Sequence, residues 1–284
     1  DASQPTDSGY SLNNLLAKGQ NNMNKLQDVL IRWFTHKVVY HTDVQKMYNS
    51  VKLKEEHWCY QRYLWDENLN PENQPTEKVI KTLIYGVKSS GNQAEQGLRK
   101  TAAMSSDEFP EVSNVIHKDI YVDDCLSGEE NIESTKQRAD ELEVVLNRGG
   151  FTLKGVTFSG ENPPSNLTDD GISVSVGGMK WYSKNDELSL DIGELCFAKK
   201  VRGRRNFTPD SMKIPNELTR RQCVAKVAEI FDLTGKVMPI VSGMKLDLHE
   251  LIKRKLNWDD VIPHDLRRTW LTNLNTIQEL KTIR

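Results

Sequence analysis

The chain has 284 residues, 37% of them hydrophobic, enough for a core divided between two or three subdomains. No apolar run approaches the roughly 18 residues of a spanning helix and no charged-apolar-small leader opens the chain, which excludes membrane insertion and predicts an intracellular, cytoplasmic protein. The net charge of −2 conceals an asymmetry: residues 197–284 carry 18 Lys/Arg against 10 Asp/Glu, whereas residues 1–196 carry 20 against 30. Such a division suits a basic binding surface joined to an acidic part.

Residues 1–20, rich in Ser, Asn, Gly and Asp, read as loop. Leu26, Val29, Leu30 and Trp33 share one face of a helix predicted over 21–35. A short strand follows over 37–41 and ends at Asp43, and a second covers Trp58–Trp65. Pro71 and Pro75 mark a loop, residues 78–86 a strand, and 92–104 a helix. Ile120–Val122 and Cys125–Leu126 are short apolar runs flanking Asp123-Asp124, the pattern of a tight β-hairpin with carboxylates at its tip. An amphipathic helix spans 131–147, with Ala139, Leu142, Val145 and Leu146 as its stripe and Gly149 as its stop. Strands are predicted over 151–158, 173–182 and 187–192, with a surface loop over 160–172. Helices are predicted over 219–231, 241–256 and 264–281, Pro239 separating the first two. The order is a βαββαβ-like mixed domain followed by a helical one.

Cys59, Cys125, Cys196 and Cys223 form no CxxC pair and read as reduced thiols. Asn166-Leu167-Thr168 and Asn206-Phe207-Thr208 match the glycosylation pattern, which has no meaning inside a cell. The chain opens at Asp1 without Met, and an excised segment of a longer protein is expected.

Three Asp-Asp pairs occur. Asp169-Asp170 precedes Gly171 and reads as a turn; Asp259-Asp260 precedes a Pro-initiated helix and reads as a cap. Only Asp123-Asp124 lies between two β-type runs. Adjacent carboxylates repel unless a cation neutralises them, and hard oxygen donors suit Mg2+, which also grips substrate phosphates. A third carboxylate would allow two metals about 4 Å apart to stabilise the attacking and leaving oxygens of a phosphoryl displacement. Asp43, at a strand end, is the candidate.

Tyr121-Val122-Asp123-Asp124 is the Y-x-D-D signature, and the chain resembles the polymerase region of BEL/Pao-type LTR retrotransposon reverse transcriptases. Thr42–Tyr48 resembles the first catalytic motif of that family, and Gln61–Trp65 follows at the expected distance. Tyr85–Ser90 resembles the segment that packs on template and incoming nucleotide, and Gly149–Lys154 the strand with a proton-donating Lys. Val176–Trp181 resembles the primer grip; Leu218–Arg221, Ile230–Gly235 and Trp258–Asp260 resemble the thumb.

The resemblance implies an α+β right-hand polymerase. Partial fingers and a ferredoxin-like palm would occupy 1–215, and a helical thumb 216–284. The implied activity is RNA-directed DNA polymerase, with an inactive nucleic-acid-binding remnant as the alternative. Asp43, Asp123 and Asp124 would hold two Mg2+ ions, with Mn2+ as substitute. Lys154 would donate a proton to pyrophosphate. Tyr48 would bar a ribose 2′-hydroxyl, and Gly86, Lys88, Ser90, Tyr121 and Val122 would meet nucleotide or template. Gly177, Gly178 and Trp181 would form the primer grip. Implied partners are an RNA or DNA template with its primer and deoxynucleoside triphosphates, with RNase H and integrase segments downstream in the polyprotein. The basic run Lys199–Arg205 and Lys253-Arg254-Lys255 are candidates to track phosphates. Trp181 and Trp258 are expected in the core. Gly91 departs from the family, which often has Pro there, and the basic fingers residues that clamp the triphosphate are expected upstream of Asp1.

Overall fold

Val38–Gln45 forms β1, and its alternating side chains face two layers. Tyr40 and Val44 enter the main core, while His41 and Asp43 share the opposite face. The computed structural model describes residues 1–67, 74–168, 170–190, 217–230 and 235–279, together with 197, 200–201, 204–205, 214–215 and 232. It is a mixed α+β chain with antiparallel sheets, divided into units 1–171 and 172–284. The boundary anticipated at 215/216 adjoins Asn216, outside the described residues.

The first unit opens with α1 (Leu12–Leu15), where a loop is expected from composition. Ser11 caps it and Asn14 returns the bond, a capping box. α2 (Leu26–Trp33) buries Val29, Leu30 and Trp33, and Trp33 Nε1 donates to the Tyr40 carbonyl at 3.2 Å. β1 is longer than predicted, so Asp43 lies inside the strand rather than at its end. α3 (Met47–Ser50) follows. The predicted strand 58–65 resolves into a 3-10 turn, Glu55–Tyr60, and a strand β2 (Arg62–Trp65) paired with β3 (Thr76–Val79). Beyond Val79 the predicted strand survives only as a bridge, Lys52 to Thr82.

α4 (Ser90–Met104) and α5 (Pro110–Lys118) precede β4 (Ile120–Tyr121), β5 (Asp124–Glu129), α6 (Ile132–Arg148) and β6 (Thr152–Phe158). The sheet runs β4-β5-β1-β6, every pair antiparallel. With α4 and α5 between β1 and β4, and α6 between β5 and β6, this is a split β-α-β arrangement. Leu98 and Ala102 of α4, Val112 and Ile116 of α5, and Leu142 and Leu146 of α6 pack on one sheet face.

In the second unit, β7 (Val174–Val176), β8 (Met179–Tyr182) and β9 (Glu187–Leu190) form a meander. The single strand predicted over 173–182 is corrected, because Gly177 and Gly178 both take positive φ and turn the chain. β10 (Lys200–Val201) pairs with β11 (Arg204–Arg205); Lys199, Arg202 and Gly203 of the basic run lie outside the described residues. Three helices follow: α7 (Arg220–Glu229), α8 (Met238–Lys253) and α9 (His264–Glu279). Pro239 sits in the first turn of α8 rather than between helices, where its missing N–H costs nothing. Among the described residues no helix is long and apolar enough to cross a membrane, and Cys59, Cys125 and Cys223 are free thiols.

Candidate metal and nucleotide site

Pairing of Ile120 with Cys125 and of Tyr121 with Asp124 leaves Val122-Asp123 as a two-residue hairpin tip. Val122 has φ of 58°. A β-branched side chain in the left-handed region costs about 1–3 kcal/mol, and such strain persists only where surroundings over-determine it. Here Val122 packs against the core, and the Asp123 carbonyl accepts the Val44 N–H at 2.8 Å. The tip is thereby fixed to β1.

The same pairing makes Asp43 and Asp124 Cα partners, so their side chains leave the sheet on one face. On the other side of β1, the register with β6 slips between Thr42 and Val44, so that Lys154 and Gly155 together oppose Asp43. Gly155 takes φ of 142°, and Thr42 Oγ1 donates to its carbonyl at 2.6 Å. The exposed Lys154 is near enough for its charge to lower the Asp43 pKa.

Burial and then the Asp124 charge outweigh Lys154 and His41, leaving the Asp43 carboxyl above its ordinary range. Burial, then Asp124, then Asp43, raise Asp123 likewise. Three carboxylates therefore share one repulsive field, which a divalent cation would relieve, and their oxygens are the hard donors Mg2+ takes. Among the described residues no group of three His, Cys, Asp or Glu side chains stands close enough together to hold a metal ion. Asp124 Oδ1 is engaged instead by His41 Nε2 at 3.0 Å. The donor set fits the ion in type and charge, and side-chain rotation would have to close it.

Tyr48 stands in α3, with its ring centroid 4.4 Å from that of Tyr85. Its hydroxyl pKa is raised by burial, then by Tyr85 and Asp123, so ring and hairpin tip share a neighbourhood. Both Tyr48 and Val122 line a cavity of about 330 Å³, together with Lys18, Lys88, Asn92 and Arg99. Tyr121 is half-buried beside Asp124. Gly91 falls in the first turn of α4, and a Cβ there would lie 3.4 Å from the Tyr48 hydroxyl. Gly86 has φ of 88° with open space around it. The Asn13 side chain donates to the Gly86 carbonyl and accepts from the Lys88 N–H, both at 2.8 Å. Ser90 corrects the expectation of a phosphate contact: it is 2% exposed, and its hydroxyl is enclosed without a partner.

In the second unit, Gly177 and Gly178 form the β7–β8 turn. Trp181 is wholly buried and donates Nε1–H to Asp186 Oδ1 at 2.9 Å, so it supports the meander rather than offering a face to a ligand. Trp258, expected in the core, is 48% exposed, with the guanidiniums of Arg220 and Arg221 at 4.8 and 5.5 Å from its ring. Asp259 pairs with Arg221 at 2.9 Å, while Asp260 accepts from the Asn257 N–H through its carboxylate and from the Arg220 N–H, the first of α7, through its backbone carbonyl. Arg254 pairs with Glu250 and Asp265 at the surface. Asp170 belongs to a turn closed by the Thr168 hydroxyl; Asp169 lies outside the described residues.

Two residues escape the sequence reading. His41 was recoverable from Asp43, because a spacing of two puts both on one strand face. Asn13 was foreshadowed by the Ser11–Asn14 cap that creates α1.

A protein-family model described as the Pao retrotransposon-like RNaseH-like domain matches residues 219–284. No curated protein matches the chain. The family match supports a Pao retrotransposon origin and a retrotransposon polyprotein as the parent. It also corrects the expectation that sequence of RNase H kinship lies wholly downstream. Among the described residues of that stretch there are three helices and one isolated bridge, Thr219 to Val261, with no strand.

Proposed function

We propose that the chain is the polymerase segment of a Pao-type retrotransposon polyprotein, an RNA-directed DNA polymerase acting in the cytoplasm. Fingers and palm would lie within 1–215, and the thumb within 216–284. The observation that carries this reading is the register of Asp43 opposite Asp124, next to Asp123 at a strained tip. Template with primer and deoxynucleoside triphosphates are the substrates.

Asp43, Asp123 and Asp124 would hold two Mg2+ ions, with Mn2+ as substitute. Such ions, when bound, acidify the primer 3′-hydroxyl and neutralise triphosphate charge. Positioning and charge dominate the remainder. Tyr48, backed by Tyr85, would exclude a ribose 2′-hydroxyl. Lys154 would hold the proton for departing pyrophosphate. Gly86 allows backbone approach, and Lys88 offers a cation beside the cavity. Tyr121 and Val122 would meet template, and the Gly177-Gly178 turn the primer.

The family description favours a second reading, nuclease action on RNA within a hybrid. Against it, Asp259 and Asp265 are engaged by arginines.

Extension of oligo(dT) on poly(rA) with dTTP and Mg2+ tests the proposal. The parent should extend, and Asp123→Asn should lose at least about 100-fold. Primer-template binding without extension would favour an inactive remnant. Hybrid cleavage that survives Asp43→Asn and Asp123→Asn would favour the nuclease.

A further inference from the structure

We infer that His41 is a positioning residue for the Asp124 carboxylate, an inference that rests on the polymerase reading of Asp43, Asp123 and Asp124. The ring is 3% exposed, and its Nε2 lies 3.0 Å from Asp124 Oδ1. Its other nitrogen, Nδ1, is enclosed without a hydrogen-bond partner. In the neutral ring, Nε2–H donates to Oδ1 and Nδ1 is an unused acceptor.

That arrangement is a poor choice for packing alone. The ring shares its strand face with buried Val39 and has buried Leu126 as its cross-strand partner. An apolar side chain would satisfy such a site. Enclosing an unpaired ring nitrogen costs about 1–3 kcal/mol. The ring's polar contact is with a half-buried carboxylate that lies opposite Asp43 and next to Asp123.

The geometry gives His41 that task. It anchors Oδ1, while among the described residues Oδ2 has no partner and is free to face a ligand. Groups that orient a metal-binding side chain from behind set its affinity, and their loss weakens binding about 10–100-fold. The Asp43–Asp124 register brings the carboxylates into one field, and His41 fixes the Asp124 carboxylate there, so that rotation of Asp43 and Asp123 is what would close the set.

The test is Mn2+ affinity, read by electron paramagnetic resonance on the whole chain, with thermal unfolding in the absence of metal as the control on folding. His41→Phe should weaken Mn2+ binding about 10–100-fold. His41→Gln, whose amide donor reaches the same place, should restore it to within a few-fold. Should the Phe variant fail to fold, His41→Asn, too short to reach Oδ1, should bind more weakly than His41→Gln. Parent-like affinity in folded Phe or Asn variants, with Asp124→Asn impaired, overturns the role of His41 and leaves the polymerase reading standing. A parent that binds no Mn2+, or an Asp124→Asn variant that binds like the parent, removes the polymerase site and the inference with it.

Discussion

Tyr48 leans on Tyr85 with ring planes at 45° and centroids 4.4 Å apart, which holds the Tyr48 ring toward the hairpin tip. Such a pairing contributes about 0.5–1.5 kcal/mol beyond burial. Tyr48→Val should raise incorporation of ribonucleotides relative to deoxynucleotides by about 10–100-fold. Tyr48→Phe should keep the parent's preference. Single-nucleotide extension with UTP against dTTP measures the ratio, and an unchanged ratio in the Val variant would remove Tyr48 from sugar selection.

Gly91 leaves room beside that ring without needing a glycine backbone. A methyl group at this helical position would make ordinary contact with the Tyr48 hydroxyl at 3.4 Å. Gly91→Ala should therefore stabilise the chain by about 0.5–1 kcal/mol. Urea unfolding reads this directly, and a loss of stability would show that the ring cannot accept the contact.

Asn13 spans Gly86 and Lys88 with two hydrogen bonds of 2.8 Å. Asn13→Ala should cost about 1–2 kcal/mol. It should also raise KM for the nucleotide more than it lowers kcat, because the loop and not the carboxylates is released. Steady-state kinetics separate the two effects; a fall in kcat alone would contradict the assignment.

Asp247, on α8, has Oδ2 enclosed without a hydrogen-bond partner, and burial raises its pKa. The folded chain therefore keeps this proton to higher pH than the unfolded chain does. Its contribution to stability is greatest below the ordinary carboxylate pKa of about 4 and falls as pH rises through the elevated one. Cys223, pushed up to about 12 by burial and then by Asp247, stays protonated throughout. Asp247→Asn should be more stable than the parent at pH 7, with the difference closing near pH 3. Melting temperatures across that range test the sign.

The hairpin was legible because Ile120–Val122 and Cys125–Leu126 are apolar runs too short for anything but strands. The 131–147 helix was legible from its stripe, and Ile132–Arg148 is observed. α5 escaped, although Pro110 at its start and Val112, Val115 and Ile116 at helical spacing mark it. The 173–182 strand was overextended because a Gly-Gly pair inside an apolar run was not read as a turn. Tertiary pairing is what sequence does not state: the bulge at Gly155 that presents Lys154 to Asp43, and the burial of His41 beneath Asp124, depend on strands more than 80 residues apart.

Crystals of the whole chain soaked in Mn2+ and measured at the manganese absorption edge show whether Asp43, Asp123 and Asp124 hold metal. Anomalous peaks are expected within about 2.0–2.3 Å of carboxylate oxygens from Asp43, Asp123 and Asp124, and should disappear in Asp123→Asn. Peaks confined to other acidic residues, or none at Mn2+ concentrations that support extension, would contradict that assignment.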